Sequence, residues 1–196
     1  MRFDPHIFDK ICAERKGSER ATLENIITLA VEIAREGREG RKIGTLFVVF
    51  DSEAVLQRSR CLILDPLAGH PDSAKKIDDP NVRETIKELA QLDGAFIVSD
   101  AGVAISACRY INASSEGIVL PLGLGSRHMA AASITKETKA VAVVVSESSI
   151  VRIFDRGELV AEIIPELWML SRFSPHLTRP YIEQTRDHLT VLSKQG

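Results

Sequence analysis

Thr45-Leu-Phe-Val-Val-Phe50 is apolar after its first residue and shows no polar alternation. A strand with one wet face alternates apolar and polar residues. An unbroken run this short, rich in Val and Phe, predicts a central strand buried on both faces. Both faces of such a strand need a cover, and helices supply it, so the run points to an α/β domain.

The flanks agree. Upstream, Ser18 is positioned to cap a helix whose apolar stripe is Leu23, Ile26, Ile27, Ala30, Ile33 and Ala34, with Gly37 and Gly40 ending it. Residues 1–17 carry only a weak apolar pattern, and 1–19 read as an N-terminal extension. Downstream, residues 64–79 are rich in Pro, Gly, Asp and His and predict a long surface loop. Asp79-Pro80 predicts a helix start, with Val82, Ile86, Leu89 and Ala90 on its buried face. Ala95–Val98 and Val103–Cys108 around Asp100-Ala101-Gly102 predict a hairpin. Met129–Ile134 predicts a helix and Ala140–Val145 another buried strand. Ile150–Phe154 and Leu159–Ile163 around Asp155-Arg-Gly-Glu158 predict a second hairpin. Pro165 and Pro180 are each placed to open a helix, so 164–196 reads as a C-terminal helical extension. The expectation is one domain over 20–163, a mixed central β-sheet flanked by helices.

Composition narrows the function. The 196 residues carry a formal net charge of −2 and a sequence pI of about 6.2. That argues against a basic nucleic-acid binder; a polyanionic ligand would be held by a few placed donors. No stretch approaches the roughly 20 apolar residues of a membrane span, and the first residues lack the apolar run of a leader. Cys12, Cys61 and Cys108 have no paired spacing and read as reduced thiols of a cytoplasmic protein.

Gly123-Leu-Gly-Ser-Arg-His128 is the segment richest in chemistry. Glycines allow close backbone approach, and a helix start behind them offers free N–H groups to an anion. Ser126, Arg127 and His128 add side-chain donors; a purely structural loop remains the alternative. Asp93-Gly94-Ala95 stands before a strand, where a carboxylate reaches a cleft and can share a divalent metal with phosphate oxygens; Asp93 also reads as a turn or helix-end residue. Ser146-Glu147 follows a buried strand and reads either as part of the same cleft edge or as an exposed strand end. His70 and Asp72 have no matching second pair of metal ligands. His6, His176 and His188 have no evident partners, and Trp168 reads as a packing residue. Neither a Gly-Lys-Ser/Thr phosphate loop nor a Gly-x-Gly-x-x-Gly fingerprint is present.

Asp93-Gly94-Ala95 and Arg127-His128, about 34 residues apart with a hairpin between, resemble the paired motifs of the diadenylate cyclase family, including the N-terminal domain of the DNA integrity scanning protein. Arg35–Val49, Leu89–Phe96 and Thr138–Glu147 resemble it too, in the same order. The resemblance implies a mixed sheet with flanking helices and a reaction joining two ATP into cyclic di-AMP with release of two pyrophosphates. It implies two facing protomers, the ribose 3′-hydroxyl of each nucleotide attacking the α-phosphate of the other. It further implies that Asp93 and Glu147 hold a divalent metal (Mn2+, Mg2+ or Co2+) and that Asp93, Arg127 and His128 serve catalysis. Gly94, Ala95, Gly125, Ser126, Arg127, His128 and Ser146 would contact the nucleotide, with Tyr110 bordering the adenine. Three positions depart from the family: Ser126 stands where threonine is common, Met129 where a third base often follows, and Glu147-Ser148 where some relatives have two acids. A nucleotide receptor of the same fold without turnover, and a nucleotidyltransferase acting on another acceptor, are the rival expectations.

Overall fold

The computed structural model describes residues 7–13, 15, 19–166, 181–186 and 189–194. The chain divides into two compact units, Met1–Pro165 and Glu166–Gly196.

The first unit is built on β1 (Thr45–Val49), in which every residue is buried. Strand β3 (Ala95–Val98) pairs with it in parallel and β5 (Val141–Val145) antiparallel. Outside β3 lie β4 (Ala104–Ile111) and β2 (Ser59–Cys61); outside β5 lie β6 (Val151–Asp155) and β7 (Glu158–Ile163). The sheet order is β2-β4-β3-β1-β5-β6-β7, and every pairing other than β1 with β3 is antiparallel. The mixed sheet flanked by helices is therefore the observed fold.

Successive strand residues face opposite ways, and both sets find a core. Leu46, Val48, Ile97, Ala142 and Val144 pack with Ala131, Ala132 and Ile134 of helix α5 (Ser126–Glu137). Phe47, Val49, Val141 and Val143 are equally buried, and helix α2 (Arg20–Glu36) lies against β5 and β6. Phe47 stacks on Phe96 with ring centroids 5.1 Å apart. Helix α1 (Ile7–Ala13) packs on α2 and has Phe8 and Ile11 buried, so part of the expected N-terminal extension is docked. Helix α4 (Pro80–Leu89) begins at Asp79, whose side chain accepts from the Asn81 amide at 2.8 Å. Lys87 binds α4 to α2, its Nζ lying 2.8 Å from Glu84, 3.1 Å from Glu32 and 3.3 Å from Glu36.

Both expected hairpins form. The β6–β7 turn has Arg156 at φ 52° and Gly157 at φ 84° between the paired Asp155 and Glu158, the left-handed pair a two-residue hairpin of this twist requires. The β3–β4 pair carries a bulge: Ala95 faces Arg109 while Ile97 faces Ser106, so β4 holds an extra residue there. The 64–79 loop is fixed by Asp65, which accepts from Ser106 Oγ at 2.6 Å and from the Ala107 amide at 3.1 Å.

The structure departs from the sequence expectations in four places. The residue at the N-cap of α2 is Glu19, with no side-chain cap, and Ser18 lies outside the described residues. Helix α5 begins at Ser126, ahead of the expected Met129, which puts Ser126, Arg127 and His128 in its first turn. Helix α3 (Ser52–Gln57) and β2 follow β1 where no element was expected, since each is too short to show a period. After Pro180 the chain forms the antiparallel strands β8 (Tyr181–Arg186) and β9 (Leu189–Lys194) instead of a helix. Proline suits the position before a strand as well as the first turn of a helix, and Ile182, Thr185, Thr190 and Val191 are β-branched residues that favour strand. His6, Trp168, His176 and His188 lie outside the described residues.

Phe47→Ala removes the largest side chain of the central strand. It is expected to destabilise the protein by about 3–5 kcal/mol in denaturant unfolding.

Candidate active site

Register alone gathers the chemistry at one end of the sheet. Leu46 pairs with Ala95 and Thr45 with Val145. Gly44, Asp93-Gly94 and Ser146-Glu147 therefore leave the sheet at the same end. Val145 pairs with Val151, so Arg152 stands one residue inside that end. The N-terminus of α5 opens onto it. A pocket of about 320 Å³ is lined there by Gly123, Gly125, Ser126, Arg127, His128, Ser146, Glu147, Ser148 and Arg152, over Val144 and Val145.

Helix α5 is built to leave its first turn open. Gly125 at the N-cap has extended backbone (φ −90°, ψ −164°) and no side chain to cap the helix. The first N–H groups of a helix lack intrahelical acceptors, and with the helix dipole they favour an anion. No acidic residue occupies the first turn.

Arg127 stands between the two carboxylates, with Nη1 3.4 Å from Glu147 Oε1 and Nη2 3.7 Å from Asp93 Oδ1. The acids are 72% and 82% exposed, so these long pairs are weak and easily exchanged for other partners. Gly44 makes room for the guanidinium: a Cβ there would lie 2.7 Å from Arg127 Nη1.

Gly94 is required for a different reason. Its φ is +108°, and a Cβ there would lie 2.6–2.8 Å from the backbone of Cys108 and Arg109. The close approach that its missing side chain permits in this structure is that of β4's own backbone. Cys108 sits in the bulge at φ 54°. Ala95 is buried in the core.

His128 is 7% exposed and tilted against Phe154. Its Nε2 lies 3.3 Å from Arg152 Nη1, and its Nδ1 is buried without a hydrogen-bond partner. Burial, then the charges of Arg152 and Arg127, hold its pKa below the usual histidine value, against a weaker pull from Glu162. Ser146 Oγ is 2.6 Å from Ser148 Oγ. Tyr110 lies on β4 away from the pocket lining, half-exposed, with the Arg60 guanidinium 4.8 Å over its ring.

Ser126, Arg127, His128, Ser146 and Glu147 thus line one pocket, with Asp93 tied to it through Arg127. Gly94 and Ala95 support Asp93 from the start of β3, and Tyr110 stands apart. His70 and Asp72 lie exposed on the loop, Asp72 paired with Lys75.

The family described as "DisA bacterial checkpoint controller nucleotide-binding" (DAC) matches residues 32–159, well over half of the chain. The chain belongs to the DAC family. Among curated relatives, a diadenylate cyclase of Methanocaldococcus jannaschii is 51% identical over 148 residues, which is 75% of this chain and 47% of that protein. A diadenylate cyclase of Haloferax volcanii is 39% identical over 163 residues, 83% of this chain and 59% of that protein. The DAC chain thus spans roughly half the length of these relatives. A crystal structure of DacA from Staphylococcus aureus superposes with a TM-score of 0.52 at 21% identity, covering 78% of this chain and 94% of that one. At that identity it speaks for the fold.

Two residues of this DAC site were not singled out in the sequence. Gly44 stood as one glycine among 12, and only the guanidinium against it gives it a role. Arg152 stood in an ordinary hairpin strand, and only the pairing of β6 with β5 brings it to the pocket.

The two glycines are expected to behave oppositely. Gly94→Ala meets fixed backbone at a left-handed φ and is expected to destabilise by roughly 2 kcal/mol or more in denaturant melts. Gly44→Ala meets only the end of a flexible side chain and is expected to leave stability nearly unchanged while displacing Arg127, seen as weakened nucleotide binding. For His128, the depressed pKa means that its share of stability is complete above about pH 6.5 and is lost as pH falls. Urea unfolding between pH 7.5 and 5 is expected to show a smaller loss in His128→Gln than in the unaltered protein.

Proposed function

We propose that this DAC chain is a diadenylate cyclase that joins two ATP into cyclic di-AMP and releases two pyrophosphates, at a site completed by a second copy of the chain. The observation carrying this reading is the pocket at the open N-terminus of α5, with Arg127 held between Asp93 and Glu147. The names of both curated relatives support it.

The chemistry asks little covalent work of the protein. Each ribose 3′-oxygen forms a bond to the other nucleotide's α-phosphorus, the α–β bridging P–O bond breaks, and the hydroxyl proton is lost as pyrophosphate departs. Catalysis is then positioning and charge stabilisation. The α5 N-terminus and Ser126 bind phosphate oxygens, and Arg127 exchanges its long carboxylate contacts for shorter ones to phosphate. Asp93, exposed at the rim, lies beside the attacking hydroxyl. His128, neutral and fixed from behind by Arg152, orients the first turn of the helix and keeps water out.

The described residues hold no cluster of three or more metal-ligating side chains. Two exposed carboxylates at a phosphate pocket suit magnesium, manganese or cobalt arriving with the triphosphate, since such ions take one or two protein carboxylates and complete their shell with phosphate and water. Asp93 and Glu147 would hold it, and it would supply Lewis acidity at the α-phosphate and charge for the leaving pyrophosphate. Among the described residues no helix is long and apolar enough to cross a membrane. The three cysteines are free, which agrees with a reducing, cytoplasmic setting.

Incubation with ATP and each metal, with products identified by mass, is expected to yield cyclic di-AMP at a rate per protomer that rises with protein concentration. Asp93→Asn is expected to lower the rate by about 100-fold or more while ATP binding changes little. ATP bound but never converted, under every metal and concentration, would instead favour a receptor.

A further inference from the structure

Arg152 is a pocket residue with no place in the scheme above beyond its contact with His128. It is the second residue of β6, opposite Val144 on one side and Glu162 on the other. Its side chain is 12% exposed. Nε donates to Glu162 Oε1 at 2.7 Å, while Nη1 lies 3.3 Å from both His128 Nε2 and Ser146 Oγ.

A guanidinium has five N–H donors and accepts nothing. Facing it, His128 Nε2 must accept, which puts the ring hydrogen on Nδ1. The two edges of the guanidinium are used unequally. One is held by a short, charge-assisted bond to an acid outside the pocket lining. The other faces into the pocket toward two neutral groups at long distance, contacts cheap to give up. Arg127, Arg152 and the α5 N-terminus thus bring positive potential into a pocket whose lining has one acid, Glu147. The acids beside them leave donors open: Asp93 and Glu147 are exposed and 3.4 Å or more from Arg127, and Glu162 takes the Nε edge of Arg152, so an anion in the pocket still meets free N–H groups.

We propose that Arg152, held in place by Glu162, is a phosphate-binding side chain of this pocket, with Glu162 its positioning residue; this rests on the nucleotide reading above. The fork is aimed and desolvated before ligand arrives, so little side-chain entropy remains to be lost on binding. Arg127 and Arg152 line the same pocket, so a polyphosphate bound there would be offered donors by both guanidiniums.

The test is calorimetric titration of the full chain with ATP and, separately, with adenosine, for the unaltered protein, Arg152→Met, Arg152→Lys, Glu162→Gln and the double variant Arg152→Met/Glu162→Gln. Expected are a tenfold or greater loss of ATP affinity in Arg152→Met with adenosine affinity within twofold, and partial recovery with lysine. Glu162→Gln is expected to weaken ATP binding severalfold, and to add nothing once Arg152 is gone. Unchanged ATP affinity in Arg152→Met, or ATP and adenosine affinities falling together, would reduce the pair to a brace of the β6–β7 hairpin and overturn the proposal. Should Arg152→Met fail to fold, the lysine and glutamine variants decide by the same comparison. An unaltered protein that makes cyclic di-AMP while Arg152→Met binds ATP normally removes this inference alone. An unaltered protein that binds neither ligand removes the nucleotide reading and this inference together.

Discussion

The burial of β1 on both faces and its pairing along both edges constrain everything else in the first unit. Each of its backbone groups needs a partner inside the protein, because none can reach water. The parallel partner β3 and the antiparallel partner β5 supply them. With the strand interiors filled by Val, Phe, Ile and Ala, polar chemistry is left to the places where strands end. The two pairings bring the start of β1, the start of β3 and the end of β5 to one edge. Residues 44, 93 and 147 become neighbours through registry, although long stretches of chain separate them.

The site so formed has a wet side and a dry side, and the difference is electrostatic in origin. Asp93 and Glu147 stand in solvent, where their attraction to Arg127 is weak and readily exchanged. His128 and Arg152 lie inside, where desolvation keeps the imidazole neutral and a cation must have its own acid, Glu162. The wet groups suit an arriving charged ligand; the dry groups are held in place by one another.

Backbone strain supports the arrangement from behind. The bulge in β4 places Cys108 at φ 54° and presses its backbone against Gly94. A non-glycine residue in the left-handed region costs on the order of 1–3 kcal/mol and persists only where surrounding structure compels it. The surrounding structure includes Asp65, which accepts from Ser106 and Ala107, and the Leu62 amide, which donates to the Cys108 carbonyl at 2.8 Å. The loop over 64–79, unremarkable as a sequence, thus helps to set the start of β3 and the position of Asp93.

Local physics was legible in the sequence. The unbroken apolar run of 45–50, the stripe of α2, the proline start of α4 and both hairpins were readable because each rests on residues near one another in the chain. So were Asp93, Arg127 and His128, which lie in short segments with their own resemblance to a known family. What could not be read were the short α3 and β2, the hairpin after Pro180, and the partners of the site. A proline fits both a helix start and the residue before a strand, and a segment of three to six residues is too short to show a period. The roles of Gly44 and Arg152 depend on which strands lie side by side, and in what register. Sequence by itself determined the elements and the residues able to carry chemistry; tertiary structure decided which of them meet, because strand pairing is a contact between distant parts of the chain that no local pattern encodes.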